Sequence, residues 1–364
     1  MDTKTIVIIG AGPVGCYAAH LLADQGHEVT VYENHPQIGS PVQCTGLLTG
    51  DFDELGLPIK SFLVNTIDSI EVNSPNHKIE LAQKEYLVCR VKFDNFFADL
   101  ARKSGATLLT NHAFVRKEGR ELIIYNSVEK KEIRVLPDLV IAADGPLSPT
   151  AKAHGLYHSE RENYYGIQAT VEGDFAPAKI QTYFSNEACP GLFAWVVSES
   201  STRARVGLAA KKNSREYFDA FMKKNGYQVV EMQAGTIPLY HPAQKLQQDN
   251  CYVVGDAAGF VKATTLGGLI PGLKQAKALA RSIQLGTSYE KESAPIAKRL
   301  RMHLRIRKIL DKFNDKDFDR LVKYVGQSRV LDILQTHTRE NPLPILLKVG
   351  IREPRFAYFL KHFV

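Results

Sequence analysis

The chain has 364 residues, about twice the length of a typical domain, which predicts more than one structural unit. No apolar run reaches the roughly 18 to 20 residues of a membrane span, and the first strand pattern begins too near Met1 for a cleavable signal, so a cytoplasmic protein is expected. The net charge of +7 is modest, and no base-stacking aromatics interleave with the basic residues, so nucleic-acid binding is not expected.

Residues 5–33 carry the strongest signal in the chain. The apolar run TIVII predicts a buried parallel strand, which ends in GAGPVG before a helical pattern. This is G-x-G-x-x-G in the strand-turn-helix setting that it requires. Gly10 permits the tight turn, Gly12 lets backbone N–H groups approach a pyrophosphate, and Gly15 lets the helix pack closely on the strand.

A second strand pattern, residues 28–32, follows this helix and ends at Glu33. About 20 residues after the first glycine, a carboxylate is placed to accept hydrogen bonds from an adenosine ribose. Strand, helix, second strand and terminal acid agree, so the segment predicts dinucleotide binding. By itself it does not distinguish FAD from NAD.

The next part of the chain mixes loop, strand and helix patterns. Residues 34–50 are punctuated by Gly and Pro and predict a loop that runs along the cofactor toward its reactive end. Residues 65–88 predict short strands, and an i, i+3, i+4, i+7 apolar pattern from Lys92 predicts a helix. Residues 112–136 predict an antiparallel meander that covers one face of the parallel sheet, and residues 138–145 predict a buried strand that ends in ADG.

Strand patterns dominate residues 163–248, with one helical interlude near Ser214 to Lys224. We interpret this region as an antiparallel-sheet domain inserted into the dinucleotide-binding domain. The chain returns at residues 250–256 with a strand that ends in Gly-Asp, then a Gly-rich turn and an amphipathic helix. Residues 288–364 show helical patterns and Pro breaks.

These patterns predict an α/β protein with three parts. The discontinuous dinucleotide-binding domain comprises residues 1–60, 86–162 and 249–287. The antiparallel-sheet domain comprises residues 61–85 and 163–248, and the C-terminal helical region comprises residues 288–364.

Cations concentrate in the run KRLRMHLRIRKILDK at residues 298–312. Contact with anionic lipid headgroups on the inner face of the cell membrane and an ordinary solvated helix face both explain this run. The five cysteines form no CxxC pair, which argues against zinc ribbons, redox dithiols and structural disulfides, and no metal site is predicted.

Two further motifs indicate FAD. The sequences ADGPLS at residues 143–148 and GDAAG at residues 255–259 resemble the second and third fingerprints of glutathione-reductase-like flavoproteins, in the branch that contains para-hydroxybenzoate hydroxylase. The resemblance implies a Rossmann-type FAD-binding domain in which Asp256 bonds the ribityl chain. The next helix would then face the flavin pyrimidine ring with its N-terminus. Arg90 matches an arginine near the cofactor phosphates, whereas Asp144 has the alternative of a helix N-cap or turn acid.

Other segments resemble the geranylgeranyl reductase family over roughly residues 4–285. SPVQCTGLL resembles its Pro-x-x-Cys-Gly stretch, YYGIQATVEG its YGIQ strand, and TTLGGLIPGLKQAKALA its Thr-Gly-Gly-Gly-Ile helix start. CPGLFAWVVSESSTRARVGLA resembles the family's Pro-Gly-Gly-Tyr-x-Trp-x-Phe-Pro segment and VGL strand. Phe193 replaces the usual Tyr, and residues 196–198 replace Phe-Pro-Lys, so the exact isoprenoid substrate stays open.

The resemblance implies an FAD-dependent reductase, similar to digeranylgeranylglycerophospholipid reductase, that saturates C=C bonds of geranylgeranyl chains of lipids or their diphosphate precursors. Reduced flavin delivers a hydride to one carbon and a proton reaches the other, in a dry apolar cavity where positioning carries the step. No second GxGxxG is present. The electrons are therefore expected from transiently bound NAD(P)H or from a small carrier protein such as ferredoxin.

The predicted cofactor-binding residues come from the motifs and the family resemblance. They are Gly10, Gly12, Pro13, Gly15, Glu33, Cys44, Arg90, Asp144, Gly145, Gly255, Asp256, Gly267 and Gly268. Cys44 is also the catalytic candidate, as a proton donor or positioning group over the flavin. Its alternative is a small buried hydrophobe.

Tyr183, Phe193 and Trp195 are the predicted substrate-binding residues, with ordinary sheet core as the alternative. Tyr164, Tyr165 and His241 are further proton-donor candidates that the sequence does not rank. Two other functions remain open: an aromatic-type flavin monooxygenase, and a flavin-bound binding protein without catalysis at the membrane. A flavin halogenase is disfavoured because its Trp-x-Trp-x-Ile-Pro and Gly-Trp-Gly motifs are missing from the sequence.

Overall fold

A computed structural model describes residues 2–363, which form two compact units. The first unit comprises the chain up to Val42, Arg90–Glu162 and Ile237–Arg301. The second comprises Gln43–Cys89, Asn163–Thr236 and the chain from Met302 onward. Both units are therefore discontinuous in sequence.

Seventeen strands and nine α-helices are found in the described residues. The strands β1 to β17 are, in order, Thr5–Ile9, Glu28–Tyr32, Leu47–Thr49, Leu63–Asn73, Lys78–Val88, Thr107–Leu109, His112–Glu118, Glu121–Asn126, Lys131–Val135, Leu139–Ala142, Asn163–Glu172, Lys179–Tyr183, Ala194–Ser198, Arg203–Ala210, Gln228–Pro238, Gln247–Gln248 and Cys251–Val253. The helices α1 to α9 are Pro13–Asp24, Arg90–Lys103, Pro149–Ala153, Ser214–Asn225, Leu269–Leu285, Tyr289–Leu310, Asp315–Val325, Ser328–Thr336 and Pro342–Arg352. Short 3-10 helices cover Gly50–Leu55, Gly255–Ala258 and Pro354–Phe363.

The first unit is built on a six-stranded sheet in the order β16-β17-β10-β1-β2-β6. All its pairs are parallel except β16 with β17, and the central strand β1 is buried from Ile6 to Ile9. A parallel strand covered on both faces reads as a continuous apolar run, which is why the TIVII pattern predicted it. The Rossmann-type prediction is confirmed. A separate antiparallel sheet of β7, β8 and β9 confirms the predicted meander.

The second unit holds an eight-stranded sheet in the order β15-β11-β14-β13-β12-β4-β5-β3. Most neighbours are antiparallel, as predicted, but β12 pairs with β4 in parallel. Strands β4 and β5 form one long hairpin rather than several short strands. The predicted loop of residues 34–50 also ends differently, because β3 pairs with Glu85 to Leu87 of β5.

These pairings place the unit boundaries away from the predicted domain boundaries. Residues 43–60 belong to the second unit, since β3 completes its sheet. The helical pattern after residue 288 is confirmed as α6 to α9, yet its first part, up to Arg301, belongs to the first unit. The hydroxyl of Tyr289 in α6 donates to the Val253 carbonyl at 2.9 Å. None of the helices in residues 2–363 is both long and apolar enough to span a bilayer.

Candidate functional site

The three glycine-acid motifs meet at one edge of the six-stranded sheet. Strands β17, β10, β1 and β2 are consecutive parallel neighbours. Their carboxyl ends are followed by residues 255–256, 143–145, 10–15 and Glu33 respectively. Ligands of open α/β sheets bind outside the carboxyl ends of the strands. The sheet therefore brings motifs that are far apart in the chain to the place where a dinucleotide would bind.

The first motif contains two positions where only glycine fits. Gly10 has a φ of +104°, and a Cβ there would lie 2.4 Å from the backbone oxygen of Ala143. A Cβ on Gly15 would lie 2.2 Å from the backbone oxygen of Gly10. A Cβ on Gly12, by contrast, would meet nothing within 4 Å. Gly10 and Gly15 thus allow close backbone packing, whereas Gly12 leaves space beside the N-terminus of α1.

The third motif packs directly on the first. The Gly255 N–H donates to Oε1 of Gln275 in α5 at 2.8 Å. A Cβ on Gly255 would lie 3.2 Å from Cγ1 of Val14, and a Cβ on Gly272 would lie 2.7 Å from Cγ2 of the same residue. Helix α5 therefore approaches α1 closely through Val14, and this contact joins the two motifs.

Asp256 is the half-buried acid of the third motif. Its burial raises the pKa of the carboxyl group, while the charges of Arg90 and Arg161 act in the opposite direction. A Cβ on Gly268 would lie 2.8 Å from Oδ1 of Asp256, and a Cβ on Gly267 would lie 3.0 Å from Cε of Lys262. The two glycines that precede α5 therefore admit an acid and a lysine side chain at close range.

Glu33 is nearly buried and already bound within its own loop. Its carboxylate accepts the Ala11 N–H at 2.8 Å and the His35 N–H at 2.9 Å, and Nδ1 of His35 lies 2.7 Å from Oε1. A carboxylate offers about four lone-pair positions, so these contacts leave capacity for one hydroxyl donor. The ribose contact of Glu33 stays a prediction.

Asp144 accepts hydrogen bonds in the turn that leads into α3, whose N-cap residue is Ser148. The hydroxyl of Ser148 donates to one carboxylate oxygen, and the Thr150 N–H donates to the other at 3.0 Å. Burial raises the pKa of Asp144. Gly145 has a φ of +80°, which favours glycine. These contacts order the turn after β10, and a cofactor contact by either residue stays a prediction.

Arg90 starts α2 and forms a two-point ion pair with Asp94. Nε lies 3.1 Å from Oδ1, and Nη2 lies 3.0 Å from Oδ2. Burial raises the pKa of Asp94, and the Arg90 cation opposes this shift. The guanidinium is also close enough to Asp256 to influence its pKa. Arg90 therefore belongs to the same edge of the sheet as the third motif.

Cys44 lies in the second unit, on a loop that other side chains hold firmly. Its half-buried Sγ accepts the Gly46 N–H at 3.3 Å. The Thr45 hydroxyl donates to Oε1 of Gln168 at 2.6 Å, and Nη1 of Arg205 donates to the Thr45 carbonyl. Arg205 also donates to the carbonyl of residue 88 at 3.0 Å. Two buried polar residues therefore fix the chain on the C-terminal side of Cys44.

Trp195 shares a hydrogen-bond acceptor with this loop. Its indole Nε1–H donates to Oε1 of Gln168 at 2.9 Å. The ring lies over β14, where a Cβ on Gly207 would be 2.7 Å from Cζ2. Phe193 contacts it edge-on at 6.4 Å, while Tyr183 packs on Phe221 at 5.4 Å. All three predicted substrate-binding aromatics are half-buried, and their contact with substrate stays a prediction.

The three proton-donor candidates have different surroundings. In the second unit, the Tyr164 hydroxyl donates to the Gly191 carbonyl at 3.3 Å, whereas Tyr165 is 51% exposed. In the first unit, His241 stacks on His158 with ring centroids 3.7 Å apart.

Comparisons with known proteins identify the family of this chain. Residues 8–45 match a family model described as an NAD(P)-binding Rossmann-like domain. Digeranylgeranylglycerophospholipid reductase 2 of Methanothermobacter thermautotrophicus is 30% identical over 349 residues, which cover 87% of this chain and 90% of that protein. The chain belongs to the digeranylgeranylglycerophospholipid reductase family. The reductase of the same name from Methanocaldococcus jannaschii is 29% identical over 364 residues, covering 90% of this chain and 92% of that protein.

A solved structure shares the whole fold of this family member. The geranylgeranyl bacteriochlorophyll reductase-like protein of Thermoplasma acidophilum aligns over 100% of both chains with a TM-score of 0.85 and 24% identity. The residues of the first unit fit the FAD that the family implies. The Gly12 turn has room for a ligand, and Pro13 opens α1 at a position that needs no N–H partner. FAD is the cofactor of this fold.

Three polar residues that hold predicted functional segments were not predicted from the sequence. Gln168 stands at the end of the YGIQ segment, so the family resemblance contained a signal for it. Arg205 and Arg161 stand in no recognisable motif, because both donate to backbone carbonyls of distant segments; Arg205 also pairs with Glu199 at 2.7 Å. Nη1 of Arg161 donates to the carbonyls of Asp256 and Ala257, each at 3.0 Å.

Proposed function

We propose that this protein is an FAD-dependent reductase that saturates C=C bonds in the geranylgeranyl chains of lipids or of their diphosphate precursors. The observation that carries the proposal is the meeting of three glycine-acid motifs at one sheet edge, in a chain that is 30% identical to a digeranylgeranylglycerophospholipid reductase. Bound FAD, when reduced, supplies the hydride for one carbon of the double bond. The polypeptide has to hold the cofactor, position the chain and deliver a proton to the other carbon.

Different residues of the first unit would bind different parts of FAD. The open turn at Gly12 and the N-terminus of α1 take the pyrophosphate, because backbone N–H groups and the helix dipole favour an anion there. Glu33 takes the adenosine ribose. Asp256 takes the ribityl chain, and Arg90 supports the phosphates with its positive charge.

Cys44 is our candidate for the proton donor or the positioning group at the reacting bond. Its loop is held by Gln168 and Arg205, two buried side chains that hydrogen-bond to Thr45. A group that must present one atom to an alkene needs a rigid backbone. Tyr183, Phe193 and Trp195 are proposed to line the path of the isoprenoid chain.

We further propose that the second unit contacts an anionic membrane surface, where its lipid substrate resides. Within the basic run at residues 298–312, Arg307 is buried and paired with Asp311 at 2.6 Å, whereas Arg305 and Lys308 are exposed. Helix α9 adds apolar groups: Leu347 is 61% exposed and Ile351 is 79% exposed. Exposed apolar side chains together with exposed cations are typical of proteins that bind at a membrane interface.

The test is mass spectrometry of lipids after anaerobic incubation with dithionite-reduced protein. Each saturated bond adds two hydrogen atoms, so stepwise gains on geranylgeranyl chains are expected. Free prenyl diphosphate and glycerol-linked chains should be compared in parallel, with NAD(P)H and reduced ferredoxin as alternative donors. If neither lipid gains hydrogen while FAD stays bound, the proposal of a reductase is refuted. Oxygen-dependent NAD(P)H consumption that an aromatic compound stimulates would favour a monooxygenase instead.

A further inference from the structure

Two loops of the first unit bring three metal-ligating side chains together. His158 and Glu160 lie on the loop that follows α3, and His241 lies on the loop between β15 and β16. Each residue offers one ligand atom, and these atoms all lie within 4.8 Å of one another. The sequence predicted no metal site, because the two histidines are far apart in the chain and neither stands in a recognisable ligand motif.

The histidine pair has the features of an incomplete coordination site. The two rings stack with their centroids 3.7 Å apart and an interplanar angle of 25°. Nδ1 of His158 is buried and has no hydrogen-bond partner within residues 2–363. Because buried polar atoms are almost always paired, a ring nitrogen without a partner in the described chain is available to a ligand. The Ala243 N–H donates to Nδ1 of His241 at 3.3 Å, a long contact that metal ligation would replace.

The backbone of both loops is already fastened in place. The Leu239 N–H donates to the Glu162 carbonyl at 2.8 Å, and Nε2 of Gln244 donates to the Leu156 carbonyl at 2.6 Å. Tetrahedral zinc with bonds of about 2.0 to 2.1 Å places its ligand atoms about 3.4 Å apart. Side-chain rotations that move the ligand atoms by little more than about 1 Å therefore suffice to reach this spacing, without movement of the loops.

We propose that His158, Glu160 and His241 bind one Zn²⁺ ion, or a divalent transition metal with the same preferences, with water completing the coordination. Two imidazoles and one carboxylate form a donor set that suits zinc. The ion would link the two loops in addition to the two hydrogen bonds that already connect them. Arg161, next to Glu160, donates to the carbonyls of Asp256 and Ala257. The metal therefore braces the loop that supports the third glycine-acid motif, and its role is structural.

Calorimetric titration of metal-stripped, FAD-loaded protein with Zn²⁺ tests this proposal. One equivalent should bind to the wild type. The variants His158→Gln and His241→Gln should each bind about 10-fold to 100-fold more weakly or not at all, because a ligand is lost. His77→Gln serves as the matched control, since His77 is an exposed histidine of the second unit. That variant should bind like the wild type.

Titration with Co²⁺ gives a second measurement that does not depend on the histidine variants folding. Glu160 is exposed, so Glu160→Gln is expected to fold normally, and FAD content and circular dichroism verify each variant. Visible absorption of Co²⁺ at a four- or five-coordinate site should appear in the wild type and change in Glu160→Gln. The proposal is overturned if the wild type binds no stoichiometric metal, or if binding persists when both histidines are replaced. Because neither measurement involves lipid reduction, their failure leaves the proposed function unaffected.

Discussion

The two units hold their predicted functional residues in different ways. In the first unit close backbone packing does this: at Gly10 and Gly15 a Cβ would lie 2.4 Å and 2.2 Å from a backbone oxygen. In the second unit side chains do this work, because Gln168 and Arg205 hold the loop after Cys44 through hydrogen bonds. A site made of backbone tolerates no added atoms, whereas a site made of side chains depends on its polar partners. Substitutions should therefore have different effects in the two units. Added atoms should disrupt packing in the first unit, and loss of a polar partner should loosen the loop in the second.

The largest effect is expected for Gly15→Val. Its Cβ would lie 2.2 Å from the Gly10 carbonyl oxygen, so α1 must separate from β1. We expect a loss of at least about 3 kcal/mol of unfolding free energy together with loss of FAD. The matched control is Gly12→Val, where the Cβ meets open space. It should lose FAD but keep the thermal stability of the apoprotein, and equal destabilisation of both variants would contradict the contrast.

Gln168→Leu tests the side-chain construction of the second unit. It leaves the half-buried Trp195 N–H and Thr45 hydroxyl without their shared acceptor, at a cost of about 1 kcal/mol for each group. Lipid reduction should fall by about 10-fold or more while FAD content is unchanged. Gln228→Leu is the same substitution at an exposed position of this unit and should have no effect. An unchanged rate of lipid reduction in Gln168→Leu would mean that the loop after Cys44 does not need the hydrogen bond from Thr45 to Gln168.

Cys44→Ser addresses the role of the thiol itself. Serine keeps the shape of the side chain but is a much weaker acid, so a proton donor should be slowed by about 10-fold or more. FAD content and stability should stay constant, because within residues 2–363 the hydrogen bond of Sγ is the one that it accepts from the Gly46 N–H. The rate of lipid saturation under saturating reductant measures this effect. An unchanged rate would remove Cys44 from the mechanism.

Asp256→Asn should have a smaller effect, with opposite signs for stability and binding. Burial raises the pKa of Asp256, so this carboxyl group favours folding while protonated, and the contribution is lost as pH rises above about 4. The Asn variant of the apoprotein should therefore be more stable than wild type at pH 7, with a flatter pH dependence. FAD should bind about 10-fold more weakly. Urea unfolding at several pH values measures the first effect, with the exposed Asp24→Asn as control.

The smallest effect is expected at the surface of the second unit. Replacing Leu347 and Ile351 by Asp should weaken binding to phosphatidylglycerol vesicles by about 10-fold, since it removes exposed apolar area and adds negative charge. FAD content should not change. Val128→Asp alters a 71% exposed residue of the first unit and should bind vesicles normally. Equal vesicle binding by all three proteins would argue against a membrane surface on α9.

Local sequence patterns determined much of the fold of this protein. The glycine motif between β1 and α1 requires particular backbone conformations, and the buried parallel strands require apolar runs. These requirements are local, so they are visible within a few residues. The same holds for the 3.6-residue period of α4, which was predicted in the middle of the strand-rich region.

Only the tertiary structure decided which side chains meet. The sequence did not reveal that β3 would leave the predicted loop to pair with β5, or that β12 would pair with β4 in parallel. It also did not reveal that Gln168 would join Trp195 to Thr45, or that His158 would stack on His241. The physical reason is that such contacts depend on strand register and on chain segments far apart, which no local period encodes.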